Sequence, residues 1–198
     1  SSPHTAALAG TELNTGTFST AALTNAPTLV SGAVYTVTYD STDAAGNAAT
    51  TITVTGVAFD NTAPVISSVN LSNNDKVKNA NIGYTLSEAI ASGSIVWTRT
   101  GGTVDGSSPH TAALAGTELN TGTFSTAALT NAPTLVDGTV YTVTYDATDA
   151  AGNAETTITV TGVTFDTTAP AISSVNLSNN DKVKNANIGY TLSEAIAS

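Results

Sequence analysis

Hydrophobic and polar residues alternate most strictly over 140–153 (VYTVTYDATDAAGN), with Tyr141, Val143 and Tyr145 on one face and Thr142, Thr144 and Asp146 on the other. A period of two is the pattern of a half-buried β-strand. The run ends in Ala151, Gly152 and Asn153, a turn signal, and 155–166 (ETTITVTGVTFD) reads as a strand running back, so the pair predicts a β-hairpin. In the returning strand Ile158 and Val160 share one parity and Val163 and Phe165 the other, which a β-bulge at Gly162 reconciles. Upstream, apolar runs predict strands at 65–71, 82–86 and 94–100, the last holding Trp97 and Arg99. One or two weaker strands between 110 and 129 bring Leu114, Leu119, Phe124 and Leu129 to the core. No stretch has the period of an amphipathic helix, and the β-branched residues sit in short runs broken by Gly, Asn and Pro, so the chain is predicted to be all-β.

The hairpin pattern recurs at 34–47, and the recurrence is general. Residues 1–92 align without a gap onto 107–198, a period of 106, and of those 92 pairs seven differ: Ser31/Asp137, Ala33/Thr139, Ser41/Ala147, Ala49/Glu155, Ala58/Thr164, Asn61/Thr167 and Val65/Ala171. A period of 106 exceeds that of solenoid repeats and suits one sandwich domain. The segments at 60–64 (DNTAP) and 166–170 (DTTAP) read as linkers, because proline cannot donate to a ladder and a new alternating run follows each. That register makes 63–168 a complete repeat, 1–62 the later part of a preceding one and 169–198 the first part of a following one. The sequence has no initiator Met and no signal segment at its start, as expected for a piece of a longer chain.

Leu135, Gly138 and Tyr141 have the spacing of the tyrosine corner of immunoglobulin-like sandwiches, where the phenol ties a crossing loop to the sheet. About seven strands in 106 residues, with Trp97 facing the corner strand, fit a two-sheet Greek-key sandwich. The motifs D-x-T-A-P at each linker, Y-T-L-S-E at 84–88, L-V-D-G-x-V-Y at 135–141 and D-A-A-G-N at 149–153 resemble the bacterial immunoglobulin-like repeats of large surface adhesins and biofilm proteins. The resemblance covers the whole chain. It implies exported, tandemly repeated, rod-forming domains at the bacterial cell surface, with joints rigidified by calcium.

Charge narrows the partners. Fifteen acidic and five basic side chains give a net charge of −10, which argues against nucleic acid and anionic membrane surfaces and favours solubility or cations. The absence of Cys rules out disulfides and thiol chemistry, and no apolar run is long enough to span a membrane.

In an immunoglobulin-like sandwich the start of the first strand, the loop after the second and the loop of the hairpin share one pole. That brings together Asp60 from the linker, Glu88 from the corner after 82–86, and Asp146 and Asp149, read as hairpin-loop residues. Four carboxylates with few cations nearby repel one another unless neutralised, and oxygen ligands from several loops suit Ca2+. At the next joint the counterparts are Asp166 and Glu194, with Asp40 and Asp43 as the equivalent hairpin-loop ligands. The plainer reading is that these are solvated aspartates capping turns.

Other candidates are weaker. His4 and His110 have no Cys or second His near and read as exposed loop residues. Lys76 and Lys78 with Asn79, Asn81 and Glu88 suggest an isopeptide bond, against solvated lysines protecting an edge. The 70–72 sequon overlaps a predicted strand, and Glu88 with Asp149 as glycosidase carboxylates lacks an aromatic sugar platform. The sequence therefore predicts a non-enzymatic extracellular spacer whose partners are neighbouring copies of the repeat. Two alternatives stand beside it. In one, 169–198 of one chain completes 1–62 of the next, since together they hold 92 of 106 residues and lack only the counterpart of 93–106, an arithmetic that a window on a long array also gives. The other is a carbohydrate-binding module using a Gly-rich loop at 101–118.

Overall fold

The structure is a computed structural model that describes residues 3–19 and 22–196. The outermost residues of both predicted partial repeats, 1, 2, 197 and 198, lie outside the described residues. The chain divides into two compact units, Ser1–Ala63 with Ala150–Asn153, and Pro64–Asp149 with Ala154–Ser198.

In the first unit β1 (Ala33–Tyr39) and β2 (Ile52–Phe59) pair antiparallel, with a register shift between Tyr35 and Val37. The Tyr35 hydroxyl accepts the Val30 N–H at 2.9 Å. Glu12, in the 3-10 turn Gly10–Leu13, accepts the N–H groups of Ala9 and Thr24 at 2.7 and 2.6 Å.

The second unit holds most of the segment read as a complete repeat. Its strands are β3 (Ile66–Ser67), β4 (Lys76–Val77), β5 (Ile82–Leu86), β6 (Ser92–Gly102), β7 (His110–Ala113), β8 (Gly122–Ala127), β9 (Thr139–Thr148) and β10 (Ile158–Phe165). They form a three-stranded sheet, β3-β5-β8, and a five-stranded sheet, β4-β10-β9-β6-β7. The predicted alternation is realised along β9, where Tyr141, Val143, Tyr145 and Ala147 are buried and the residues between them half-buried. They share one core with Ile66, Ile82, Tyr84 and Leu86 of the smaller sheet and Ile95 and Trp97 of β6. Leu114 and Leu129 are buried there, and Leu119 and Phe124 pack against it. Beyond the linker, β11 (Ile172–Ser173) and β12 (Thr191–Leu192) pair antiparallel, as their counterparts β3 and β5 do.

The bulge is where parity demands it. The β9–β10 register shifts between Val160 and Val163, and Gly162 takes φ 75°, a left-handed conformation that costs a side-chain-bearing residue about 1–2 kcal/mol.

Two expectations are corrected. The strand predicted over 65–71 breaks after Ser67, because Ser68 takes φ 51° and turns the chain out of the ladder. Asn70 takes over the pairing with its side chain, accepting the Gly83 N–H at 2.8 Å while its own N–H donates to the Gly83 carbonyl at 3.0 Å. The chain then crosses to the other sheet, where β4 runs parallel to β10. The second correction concerns 101–118, of which 103–109 is a loop while most of the rest belongs to regular elements. It contains β7, paired to β6, and the 3-10 turn Gly116–Leu119, whose Glu118 is 2% exposed and accepts the Ala115 and Thr130 N–H groups at 2.7 and 2.5 Å.

Candidate metal centre

At the pole after β5, the Ser87 N–H donates to the Val65 carbonyl at 3.0 Å and the Val65 N–H to Ser87 Oγ at 2.8 Å. This clamp fixes the start of the repeat beside Glu88. A carboxylate oxygen of Glu88 and one of Asp149 lie within 4.8 Å of each other, Glu88 half-buried and Asp149 4% exposed. Asp60 belongs to the first unit, where its carbonyl accepts the Asn153 side-chain amide at 3.2 Å and its Oδ1 accepts the Thr62 N–H at 3.0 Å.

The second joint repeats the clamp: Ser193 N–H to the Ala171 carbonyl at 3.0 Å, and Ala171 N–H to Ser193 Oγ at 2.8 Å. Asp166 and Glu194 line one shallow cleft there, with Lys76, Lys78, Thr168 and Pro170. Glu194 Oε1 is buried and has no hydrogen-bond partner among the described residues. A buried carboxylate oxygen without a donor is costly unless a cation serves it, and a donor set made of oxygens fits calcium. Lys76 Nζ lies 3.8 Å from Asp166 Oδ2, so part of the charge at this joint is already met by an exposed lysine.

Asp146 is placed differently from the expectation. It lies inside β9, opposite Ser94, rather than on the hairpin loop, because the strand runs to Thr148. It stands on the face of Thr142 and Thr144 and accepts the Thr157 hydroxyl. Asp40 makes the matching bond with Thr51. Asp43 closes its own turn, accepting the Ala45 and Asn47 N–H groups at 2.9 and 2.8 Å and the Asn47 side-chain amide at 2.8 Å. The Asn47 amide, first, holds the Asp43 carboxyl below its usual range.

Three residues that sequence reasoning passed over shape these poles. Asp137 Oδ1 accepts the Thr167 N–H at 2.5 Å and its hydroxyl at 2.7 Å, and Oδ2 accepts the Thr168 hydroxyl at 2.9 Å. The Thr167 N–H, first, keeps its carboxyl below the ordinary value. In the first copy Ser31 does the corresponding work, donating to Asp60 Oδ1 at 3.2 Å and accepting the Asn61 N–H at 3.2 Å. Two of the seven repeat differences, Ser31/Asp137 and Asn61/Thr167, thus meet at one contact, a signal the alignment held. Glu155, where the first copy has Ala49, accepts the Ile66 N–H at 2.5 Å; burial, first, raises its carboxyl. Asp105 is 7% exposed, and its Oδ2 accepts the Tyr141 hydroxyl at 2.7 Å and pairs with His110 Nε2 at 2.6 Å. The Tyr141 hydroxyl and then His110 bring the Asp105 carboxyl down to about 2. His110 is therefore a half-buried residue of β7 rather than an exposed loop histidine, because Asp105 folds back beneath it.

The remaining candidates are absorbed by the fold. Lys76 lies on β4, at the edge of the larger sheet, 69% exposed, as an edge-protecting lysine does. Asn79 accepts the Asn81 N–H at 3.1 Å, and the sequon residue Asn70 is committed to Gly83. Trp97, Tyr84, Tyr141 and Tyr145 are buried in the core and offer no sugar platform.

The tyrosine corner closes as its spacing predicts: the Tyr141 hydroxyl accepts the Val136 N–H at 3.1 Å, five residues upstream. The Trp97 ring stands edge-on to Tyr141, 5.8 Å between centroids. Two sheets joined in this order around that pair define an immunoglobulin-like β-sandwich. A family model, Bacterial Ig-like domain, matches residues 60–167, and the chain belongs to that family. Domains of this family occur in extracellular or surface proteins and are generally non-enzymatic. A search of the curated proteins finds no match.

Proposed function

We propose that this chain is a structural spacer of an extracellular bacterial surface or matrix protein, built from tandem immunoglobulin-like repeats whose joints are stiffened by calcium. The observation that supports the reading is that a corner glutamate is found with an aspartate at successive linkers. At the first pole Glu88 meets Asp149; at the second, the counterpart of Glu88, Glu194, shares a cleft with the linker residue Asp166. Overlaid through the repeat, the two views give one ligand set: a linker aspartate (Asp60 or Asp166), a corner glutamate (Glu88 or Glu194) and a hairpin-loop aspartate (Asp149 or Asp43). Asp60 is three residues ahead of Ala63 and Asp149 one residue past β9, so an ion held by both ties the linker to the domain it enters. Calcium supplies charge neutralisation there, and the paired hydrogen bonds between Val65 and Ser87 hold the backbone next to the glutamate.

The partners in this reading are neighbouring copies of the repeat in the same chain. Small-angle scattering of the chain tests it. In calcium the distance distribution narrows towards an extended form and chelation broadens it; curves that superimpose in calcium and chelator contradict a stiffened joint.

A further inference from the structure

Among the described strands β4 and β10 alone pair in parallel, at the edge of the larger sheet. The segment that leads to β4 starts at Pro64, beside the Val65–Ser87 hydrogen bonds and the pole where Glu88 meets Asp149. β10 leaves the hairpin at that same pole and ends at Phe165, at the other. Tension between the linkers at 60–64 and 166–170 therefore draws the two segments in opposite directions along the strand axes. Bonds sheared in this way are loaded side by side and must fail together, whereas bonds pulled from one end fail in turn.

β4 has only two residues, and the bulge lengthens its contact with β10. Thr161 and Gly162 fall out of register with β9, and the Thr161 backbone is paired instead with the 73–75 turn. Its N–H donates to Asn73 Oδ1 at 2.8 Å and its carbonyl accepts the Asn74 N–H at 2.9 Å, while the Thr161 hydroxyl donates to the same Asn73 oxygen at 3.3 Å. Gly162 makes room for this, since a Cβ there falls 2.5 Å from Asn74 Oδ1. Further along, the Thr164 N–H donates to the Asp75 carbonyl at 2.8 Å and the Asp166 N–H to the Val77 carbonyl at 2.9 Å. The turn itself is braced by Asp75 Oδ2, which accepts the Ser72 N–H at 2.8 Å. Lys76, 69% exposed and 3.8 Å from Asp166, adds little. β3, which meets the load first, has two ladder pairs with β5 before the chain breaks away at Ser68, so it yields before the seam does.

The seam is written into each copy. Asn73, Asn74, Asp75 and Val77 recur as Asn179, Asn180, Asp181 and Val183, and Thr161, Gly162 and Asp166 as Thr55, Gly56 and Asp60. Asn180 and Gly56 take φ 68° and 74°, the left-handed values of Asn74 and Gly162. Ala58 stands where Thr164 does, and the seam uses only the main-chain N–H of that residue.

We propose that the repeat bears tension, and that the β4–β10 seam, extended through Asn73 and Asn74 by the bulge at Gly162, sets the force at which it unfolds. The inference rests on the spacer reading for the source of the load and not on calcium.

Single-molecule force spectroscopy of the full chain tests it, and the absence of cysteine lets handles be placed at chosen residues. Handles at Asn61→Cys and Ala169→Cys load the repeat along its strands and shear the seam as a unit. Lys78 and Ala169 lie at one end of the seam, where Lys78, Thr168 and Pro170 line one cleft, so handles at Lys78→Cys and Ala169→Cys open it bond by bond. Every measurement is made in chelator, which separates the outcome from that of the joint calcium. The first geometry unfolds at a several-fold higher force than the second. In the first geometry Asn73→Ala leaves the Thr161 N–H without its acceptor and speeds unfolding at constant force about tenfold. Asn131→Ala frees the Ala113 carbonyl at the β7 edge, outside the load path, and leaves that rate unchanged. Equal unfolding forces in the two geometries, or equal rates for Asn73→Ala and Asn131→Ala, would overturn the proposal.

Discussion

Tyr141 and Tyr145 lie four residues apart on β9, both 0% exposed, and the structure assigns opposite signs to the loss of their hydroxyls. Tyr141→Phe strips an acceptor from the Val136 N–H and a donor from Asp105, which keeps His110 and the Ser107 N–H at 3.0 Å. Leaving such groups short costs about 1–3 kcal/mol. For a domain near 100 residues, each kcal/mol lowers the unfolding midpoint by about 4–8 °C. The Tyr145 hydroxyl is buried with no hydrogen-bond partner among the described residues. An unpaired buried hydroxyl is itself unfavourable by about 1–3 kcal/mol, so Tyr145→Phe is neutral or raises the midpoint. Trp97 is the chain's one tryptophan and lies in the core of the complete repeat, so its fluorescence reads that repeat alone during urea or thermal unfolding. Equal losses in the two variants, or an unchanged midpoint in Tyr141→Phe, would refute the assignment.

Other consequences are open to the same probe. A Cβ on Gly162 falls 2.5 Å from Asn74 Oδ1 at a left-handed φ, so Gly162→Ala lowers stability by about 2 kcal/mol or more, whereas Gly106→Ala, in open space, leaves the Trp97 transition where it is. Asp105 has its folded-state carboxyl depressed to about 2 from 3.8, so its stabilisation is complete above the higher value and is lost as pH falls through the lower. The unfolding midpoint therefore drops between pH 3.8 and 2, and Asp105→Asn flattens that drop. Asp137→Ser removes the acceptor of Thr167 and Thr168 on an exposed turn, so proteolysis within 166–170 quickens while global stability changes by less than about 0.5 kcal/mol.

The strands and the bulge were legible because a half-buried sheet writes its two faces into alternate residues, and at Gly162 that parity slips. The tyrosine corner was legible from three residues, since its partner is a backbone N–H only five positions away. The break after Ser67 was not, because nothing in the letters of 65–71 announces a left-handed serine or an asparagine standing in for a ladder. Of the carboxylates, Glu88 and Asp149 meet as topology suggested. Asp146 shares the parity of Thr142 and Thr144, and that alternation, rather than its nearness to the Ala-Gly-Asn turn, gives its place in the strand. Asp105 gave no signal: it stands alone in a Gly- and Ser-rich stretch, and one of its three partners comes from 36 residues away.

The central claim is that calcium is part of the joint, and thermal unfolding of the full chain read at Trp97, in millimolar calcium and then in chelator, tests it most directly. A ligand that binds only the folded state adds about 2.7 kcal/mol at a hundredfold excess over its dissociation constant. The account predicts a calcium-dependent rise in midpoint that chelator reverses and that Glu88→Ala and Asp149→Ala each abolish. Midpoints that coincide in calcium and chelator for the unaltered chain would contradict it.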